Sequence, residues 1–133
     1  MRVADLMHAD VVTIAPDASI GDLVQSLADA RVSGLPVVDS TGRVIGVVSA
    51  TDVLQAAGEK SDTEARSTMF EHTTVGDIMT PNPQVIGPDA DARQAAQQML
   101  YTEVRRLFVE DQGRLIGVIS QTDIAHAVGL GRL

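Results

Sequence analysis

Two short phrases with the same polar residues occur in the sequence: GVVSATD ends at Asp52, and GVISQTD ends at Asp123. In each phrase a serine precedes the aspartate by three residues, and a threonine lies directly before it. Before a helix, this spacing is that of a capping box, in which hydroxyl and carboxylate satisfy unpaired backbone N–H groups. The same groups can bind a ligand, because hydroxyls donate to phosphate and a carboxylate accepts from two adjacent hydroxyls, as on ribose. The residues alone leave both roles open, and one side chain can serve in both.

The two phrases belong to an internal repeat that covers most of the chain. VADLM at residues 3–7 matches VGDIM at 75–79, and VSGLPVVD at 32–39 matches VRRLFVED at 104–111, both at an offset of 72. One residue is dropped in the next turn, so the closing phrases match at an offset of 71. The sequence therefore predicts two domains, residues 1–58 and 75–133, joined by a polar linker at 59–74.

Each repeat predicts the element order β-α-β-β-α. In the first repeat the elements lie at residues 11–14, 20–27, 35–38, 44–48 and 52–57. Ser19 is placed to cap the first helix of this repeat, and Asp91 is placed to cap its counterpart. In the second repeat Pro83 weakens the first strand, and the later elements lie at 91–102, 107–110, 115–119 and from 122 onward. Helices alternating with strands indicate an α/β fold with layered α+β architecture.

Composition argues against several classes of protein. The chain has 133 residues, a net charge of −8 and only 2% aromatic residues. It therefore lacks the basic face and the stacking rings that nucleic-acid binders use. It has no cysteine, and no apolar run resembles a membrane span or a signal peptide. We expect a cytoplasmic protein with neither nucleic acid nor membrane as a partner.

No residue pattern predicts a metal centre or a catalytic site. His8, His72 and His126 are far apart in sequence and lack the spacing of metal ligands, so surface or core positions are expected for them. The stretch after Gly58 lacks the full pattern of a phosphate-binding loop, and no nucleophile elbow is present. We expect a protein that is not an enzyme and has neither a metal nor a catalytic cofactor.

Taken together, the repeat, its element order and its closing phrases resemble the paired CBS domains first named from cystathionine β-synthase. The phrases GVVSATD and GVISQTD match the G-h-x-[ST]-x-x-D pattern of that family, where h is hydrophobic, and the resemblance covers almost the whole chain. It implies two β-α-β-β-α units packed about a pseudo-twofold axis, with clefts that bind AMP, ADP, ATP or an adenosyl compound such as S-adenosylmethionine. It also implies a regulatory module that forms disc-like homodimers.

The resemblance places eight residues in one cleft, here called the Asp123 site. They are Met7, Asp10, Val12, Arg105, Arg106, Ser120, Thr122 and Asp123. It implies that Val12 offers backbone groups to the adenine edge and that Asp123 holds the ribose hydroxyls. Ser120, Thr122 and the two arginines would face the phosphates.

A second cleft, here called the Asp52 site, follows from the same resemblance. Its residues are Met79, Asn82, Gln84, Ser33, Gly34, Ser49, Thr51 and Asp52. Ser33 and Gly34 stand where the other site has Arg105 and Arg106, so we expect weaker binding of charged nucleotides here. The arginines also have a simpler interpretation, as a solvated basic pair beside acidic neighbours.

The leading interpretation is a sensor of an adenosine-containing ligand with no chemistry of its own. Because the repeats fill the chain, an unknown effector protein or a second copy would read the bound state. A CBS-fold interaction or oligomerisation module without a ligand is the alternative, and an enzyme is the third. A thermal-shift screen with adenine nucleotides separates the first two, and turnover of those ligands would indicate the third.

Overall fold

The computed structural model describes residues 1–58 and 62–133, and these residues form two compact units. The central unit is the continuous segment Val12–Asn82. The terminal unit combines Met1–Val11 with Pro83–Leu133. The compact units differ from the sequence repeats, because the opening segment of each repeat belongs with the closing phrase of the other. The predicted domain bounds and linker stay a prediction, and part of that linker lies outside the described residues.

The described residues form helices and strands in the following order along the chain. The helices are α1 (Val3–Leu6), α2 (Ile20–Ala30), α3 (Ala50–Gly58), α4 (Thr63–His72), α5 (Val75–Ile78), α6 (Ala92–Thr102) and α7 (Gln121–Gly129). The strands are β1 (Gly34–Val38), β2 (Val44–Ser49), β3 (Thr80–Pro81), β4 (Val85–Ile86), β5 (Arg106–Asp111) and β6 (Arg114–Ser120). The α/β class predicted from the sequence is confirmed.

The sheet of the central unit has the strand order β1-β2-β3, with antiparallel neighbours. The strand predicted at residues 11–14 was wrong, because only Ile14 pairs there, as a parallel bridge to Val37. The amide of Ile14 donates to Pro36 O at 3.1 Å, and the carbonyl of Ile14 accepts from Val38 N at 2.9 Å. Ile14 is buried whereas Val12 is half exposed, so a single residue of the segment enters the core.

The sheet of the terminal unit repeats this plan with different strand lengths. Its order is β4-β5-β6, in which β4 runs parallel to β5 and β5 antiparallel to β6. The strand expected to be weak after Pro83 forms at Val85–Ile86, where it pairs with Phe108 and Val109. At the far edge His8 bridges β6 at Val118, in the place that β3 occupies in the central unit.

Each unit has its own apolar core, and an opening segment anchors in each. Val75 of α5 is fully buried among residues of the first repeat, including Leu23 and Val48. Val3 of α1 is fully buried among residues of the second repeat, including Leu107 and Ile119. Close packing of these aliphatic side chains fixes each opening segment against the sheet beside it.

The helix caps expected from the sequence are confirmed. Ser19 Oγ accepts from Asp22 N at 3.0 Å, and Asp91 Oδ1 accepts from Arg93 N at 2.8 Å. Helix α4 lies within the stretch predicted as a linker and was not predicted, because its residues show little amphipathic pattern. Over the residues that the structure describes, no helix has the length and apolar character needed to cross a membrane.

Candidate functional site

The opening segment of the first repeat lies against the closing phrase of the second, within the terminal unit. His8 and Val118 exchange two backbone hydrogen bonds of 2.9 Å each. A Cβ atom on Gly117 would stand 2.8 Å from Met7 Sδ and 2.9 Å from His8 O. Only glycine therefore allows the opening segment to approach this closely.

The central unit has the same contact between β3 and β2. Val47 pairs with Thr80 in the ladder, and Gly46 pairs with Pro81. A Cβ atom on Gly46 would stand 2.5 Å from Met79 Sδ and 3.0 Å from Thr80 O. In each unit, the glycine that opens the repeated phrase is thus required because the opening segment of the other repeat packs directly against it.

The capping box predicted for SQTD is confirmed at the start of α7. The amide of Ser120 donates to Asp123 Oδ2 at 2.8 Å, and the amide of Asp123 donates to Ser120 Oγ at 3.2 Å. Strand β6 ends directly at this cap, so the aspartate is held at a strand-to-helix junction near the positive end of the helix dipole.

A contact that the sequence did not predict occupies the other carboxylate oxygen. His8 Nε2 lies 2.8 Å from Asp123 Oδ1, with the His8 side chain 70% exposed and the Asp123 side chain 16% exposed. Burial raises the pKa of Asp123, but hydrogen bonds from the Ser120 amide, the His8 ring and the Ser120 hydroxyl outweigh it and hold the pKa below its ordinary value. The carboxylate is therefore kept ionised with both oxygens engaged.

The two arginines lie beside the same cap. Arg106 pairs with Ser120 across β5 and β6, and the Arg105 carbonyl accepts from Gln121 N at 2.9 Å. Both side chains are exposed, and within the described parts of the chain neither guanidinium forms an ion pair. The backbone of two cationic residues thus lies next to the cap at the start of α7.

The other residues predicted for the Asp123 site divide between the units. Met7, Asp10 and Thr122 belong to the terminal unit with the cap, and Asp10 and Thr122 are exposed. Val12 belongs to the central unit, so its role toward an adenine ring stays a prediction.

The Asp52 site repeats the cap, but its aspartate has one hydrogen-bond partner fewer than Asp123 has. Asp52 Oδ2 accepts from Ser49 N at 2.8 Å and from Ser49 Oγ at 3.0 Å, while Asp52 N donates to Ser49 Oγ at 3.2 Å. Among the residues that the structure describes, none donates to Asp52 Oδ1. Gly34 pairs with Ser49, and the Ser33 carbonyl accepts from Ala50 N at 2.8 Å, as Arg106 and Arg105 do in the terminal unit.

The remaining residues of the Asp52 site also divide. Met79, Asn82 and Thr51 lie in the central unit, and Asn82 has a left-handed backbone with φ of 59° that asparagine tolerates well. Gln84 lies in the terminal unit, where its Oε1 accepts from Gln98 Nε2 at 3.3 Å. Its part in ligand binding stays a prediction.

Across residues 1–58 and 62–133, no group of three or more histidine or carboxylate side chains is placed to hold a metal.

The chain matches the family model of the CBS domain over residues 3–59 and 75–130. It belongs to the CBS-domain family, as its repeated fold and paired caps indicated.

Among curated relatives, the chloroplastic CBS domain-containing protein CBSX2 of Arabidopsis thaliana is 29% identical over 135 residues, which cover 86% of this chain and 57% of that protein. Inosine-5'-monophosphate dehydrogenase of Methanocaldococcus jannaschii is 32% identical over 92% of this chain and 23% of its own length. The chain thus spans little more than half of the first relative and about a quarter of the second.

Solved structures show the same fold over nearly the whole chain. CBSX2 in complex with AMP is 30% identical, with a TM-score of 0.78, covering 99% of this chain and 98% of that one. The CBS domain pair of MJ0100, in complex with 5'-methylthioadenosine and S-adenosyl-L-methionine, has a TM-score of 0.77 at 22% identity, covers 98% of each chain, and supports the fold alone.

Proposed function

We propose that the protein is a regulatory module that senses an adenosine-containing ligand and signals through a change of conformation or assembly. The carrying observation is the doubled cap, in which Asp52 and Asp123 each stand half-buried at a strand-to-helix junction. Such a junction offers carboxylate, hydroxyl and a helix N-terminus together, which suits ribose and phosphate. The AMP complex of the relative CBSX2 supports this choice of ligand.

In the Asp123 site, the carboxylate of Asp123 accepts from ribose hydroxyls, and Ser120 and Thr122 lie toward the phosphates. Arg105 and Arg106 add charge-assisted hydrogen bonds, which guanidinium groups form with phosphate in bidentate geometry. This site is therefore proposed to bind AMP, ADP or ATP.

The Asp52 site favours a different ligand class. Its equivalent positions, Ser33 and Gly34, supply no cation, and the chain as a whole carries a net charge of −8. A nucleoside or a positively charged adenosyl compound such as S-adenosylmethionine fits these surroundings better than a polyphosphate. We therefore propose that this site takes the less negatively charged ligand.

A thermal-shift titration with AMP, ADP, ATP, adenosine and S-adenosylmethionine tests the function. A ligand that binds only the folded state raises the melting temperature. Asp123→Ala and Asp52→Ala should each weaken binding by about 1–3 kcal/mol, because ribose hydroxyls lose their acceptor. Asp17→Ala, an exposed aspartate outside both sites, is the matched control and should leave the shift unchanged.

A protein that none of these ligands stabilises would contradict the proposal and favour a ligand-free interaction module. Catalysis by this chain is not part of the proposal, and incubation with AMP and ATP should leave both intact by chromatography. Inosine-5'-monophosphate dehydrogenase lends no activity to this chain, which covers 23% of that enzyme.

We also propose that the protein forms a twofold homodimer in the cytoplasm through its helices. Val24 and Leu54 are exposed at an apolar groove between α2 and α3, and Leu100 and Tyr101 are exposed on α6. An isologous contact would cover such faces. Light scattering should give a particle larger than the 14.0 kDa chain, Leu54→Glu should shift it toward monomer, and Val32→Glu should not. A monomer at every concentration would reject the dimer.

A further inference from the structure

The two sites differ in how fully the aspartate is already engaged. Asp123 Oδ2 accepts a hydrogen bond from the Ser120 amide, and Asp123 Oδ1 is hydrogen-bonded to the ring of His8, at 2.8 Å each. Asp52 uses only Oδ2 among the described residues. The residue at the position of His8 in the other repeat is Thr80, for which the described contacts include no bond to Asp52.

We propose that His8 is a specificity-determining residue that competes with ribose hydroxyls for Oδ1 of Asp123. The Asp123 site then selects its ligand mainly by phosphate, and the Asp52 site selects mainly by ribose. The inference rests on the proposed function and assigns a division of labour to its two sites.

The geometry makes His8 a movable competitor. Its backbone is fixed by the two hydrogen bonds to Val118, whereas its side chain is 70% exposed and can rotate into water. Asp123 is only 16% exposed, so its carboxylate is more shielded from water than the ring is. A ring nitrogen that carries a proton donates to a carboxylate, and a ribose hydroxyl must share or displace that bond.

The consequence is a smaller penalty for a missing ribose hydroxyl at the Asp123 site. A ligand without the 3'-hydroxyl leaves Asp123 still paired with His8, but it leaves Asp52 with the 2'-hydroxyl as the one remaining ribose donor. A net hydrogen bond between protein and ligand corresponds to about a 3- to 10-fold change in affinity. The preference for AMP over 3'-deoxy-AMP should therefore be about 3- to 10-fold larger at the Asp52 site.

Calorimetry with AMP and 3'-deoxy-AMP tests this in two backgrounds. Asp52→Ala leaves the Asp123 site to be measured, and Asp123→Ala leaves the Asp52 site. The two nucleotides carry the same phosphate, so their affinity ratio isolates the ribose contact. In the first background His8→Thr should raise the ratio about 3- to 10-fold, and in the second Thr80→His should lower it by a similar factor.

The neutral variant His8→Gln is the matched control, because its amide can still donate to Asp123 and should keep the low ratio. Circular dichroism and melting curves verify that each variant is folded. An unchanged ratio in His8→Thr, or a loss of AMP affinity in that variant, would overturn the inference while leaving the proposed function standing. Failure of the unmodified protein to bind AMP would overturn both.

Discussion

The two candidate sites share a backbone and differ in the side chains that surround it. The cap amide bonds measure 2.8 and 3.2 Å in both. In both, the first helical residue also donates its amide to the carbonyl of the residue just before the neighbouring strand, Ser33 before β1 and Arg105 before β5. The side chains around these caps diverge, with His8, Arg105 and Arg106 in one site and Thr80, Ser33 and Gly34 in the other. The repeated residues thus hold the main chain in one arrangement, and the proposed difference in ligand rests on the residues that are not repeated.

The largest expected effect comes from removing the arginines. Changing Arg105 to Ser and Arg106 to Gly gives the Asp123 site the residues of its counterpart. Loss of a hydrogen bond to a charged phosphate costs about 1.5–3 kcal/mol, so AMP affinity there should fall about 10- to 150-fold. Calorimetry in the Asp52→Ala background measures this loss.

Adenosine is the control for that experiment, because it lacks phosphate and should bind the double variant as before. Ser33→Arg is the reciprocal change and should strengthen AMP binding at the Asp52 site. Equal losses for AMP and adenosine would show that the arginines are a solvated basic pair.

The next largest effect is expected on stability, and it tests the close approach of the opening segments to the repeated phrases. Gly117→Ala places a Cβ atom 2.8 Å from Met7 Sδ and 2.9 Å from a backbone carbonyl, and Gly46→Ala makes the equivalent clash. Overpacking of this kind costs about 1–3 kcal/mol, which urea denaturation can measure. Gly87→Ala is the control, since nothing lies within 4 Å of its added atom. A Gly117→Ala protein as stable as the control would contradict the close approach.

A smaller effect is expected at the caps, and it should be equal in the two units. Ser49→Ala and Ser120→Ala each remove the hydroxyl that accepts a helix amide at 3.2 Å. Loss of such a cap costs about 1 kcal/mol. Thermal unfolding of both variants measures it, and a clear inequality would show that the two junctions are not energetically equivalent.

The smallest effect is a dependence of stability on acidity. The pKa of Asp123 is lowered, so the folded state holds a proton there less readily than the unfolded chain. The stability that this carboxylate contributes is full above about pH 4 and is lost as the pH falls through the folded pKa. Asp123→Asn should flatten that part of the profile of unfolding free energy against pH. A profile unchanged by the substitution would contradict it.

Much of the backbone arrangement that the two sites share was predictable, because the sequence patterns that indicate it are local. Ser49 and Asp52 lie three residues apart, as do Ser120 and Asp123, so the capping geometry follows from spacing. Apolar runs likewise indicated β1, β2, β5 and β6. The strand expected at residues 11–14 failed for a tertiary reason, since only Ile14 finds a ladder partner.

The His8 contact could not be read from spacing, because 115 residues separate it from Asp123. A signal was nonetheless available. His8 lies between Met7 and Asp10, two residues that the resemblance assigned to the Asp123 site, and threonine replaces it in the other repeat. The pattern that pointed to His8 is a polar residue that differs between the two repeats and lies between residues already assigned to a site.

Connectivity also favours one order of folding during synthesis. The central unit is one uninterrupted segment, whereas the terminal unit must join Met1–Val11 to Pro83–Leu133. Because synthesis delivers residues in order, the central unit can fold while the sheet that buries Val3 does not yet exist. Until then Val3 has no apolar core to enter, and the docking of its segment closes a loop that contains the whole central unit. The Asp52 junction can therefore form on the nascent chain well before the Asp123 junction is complete.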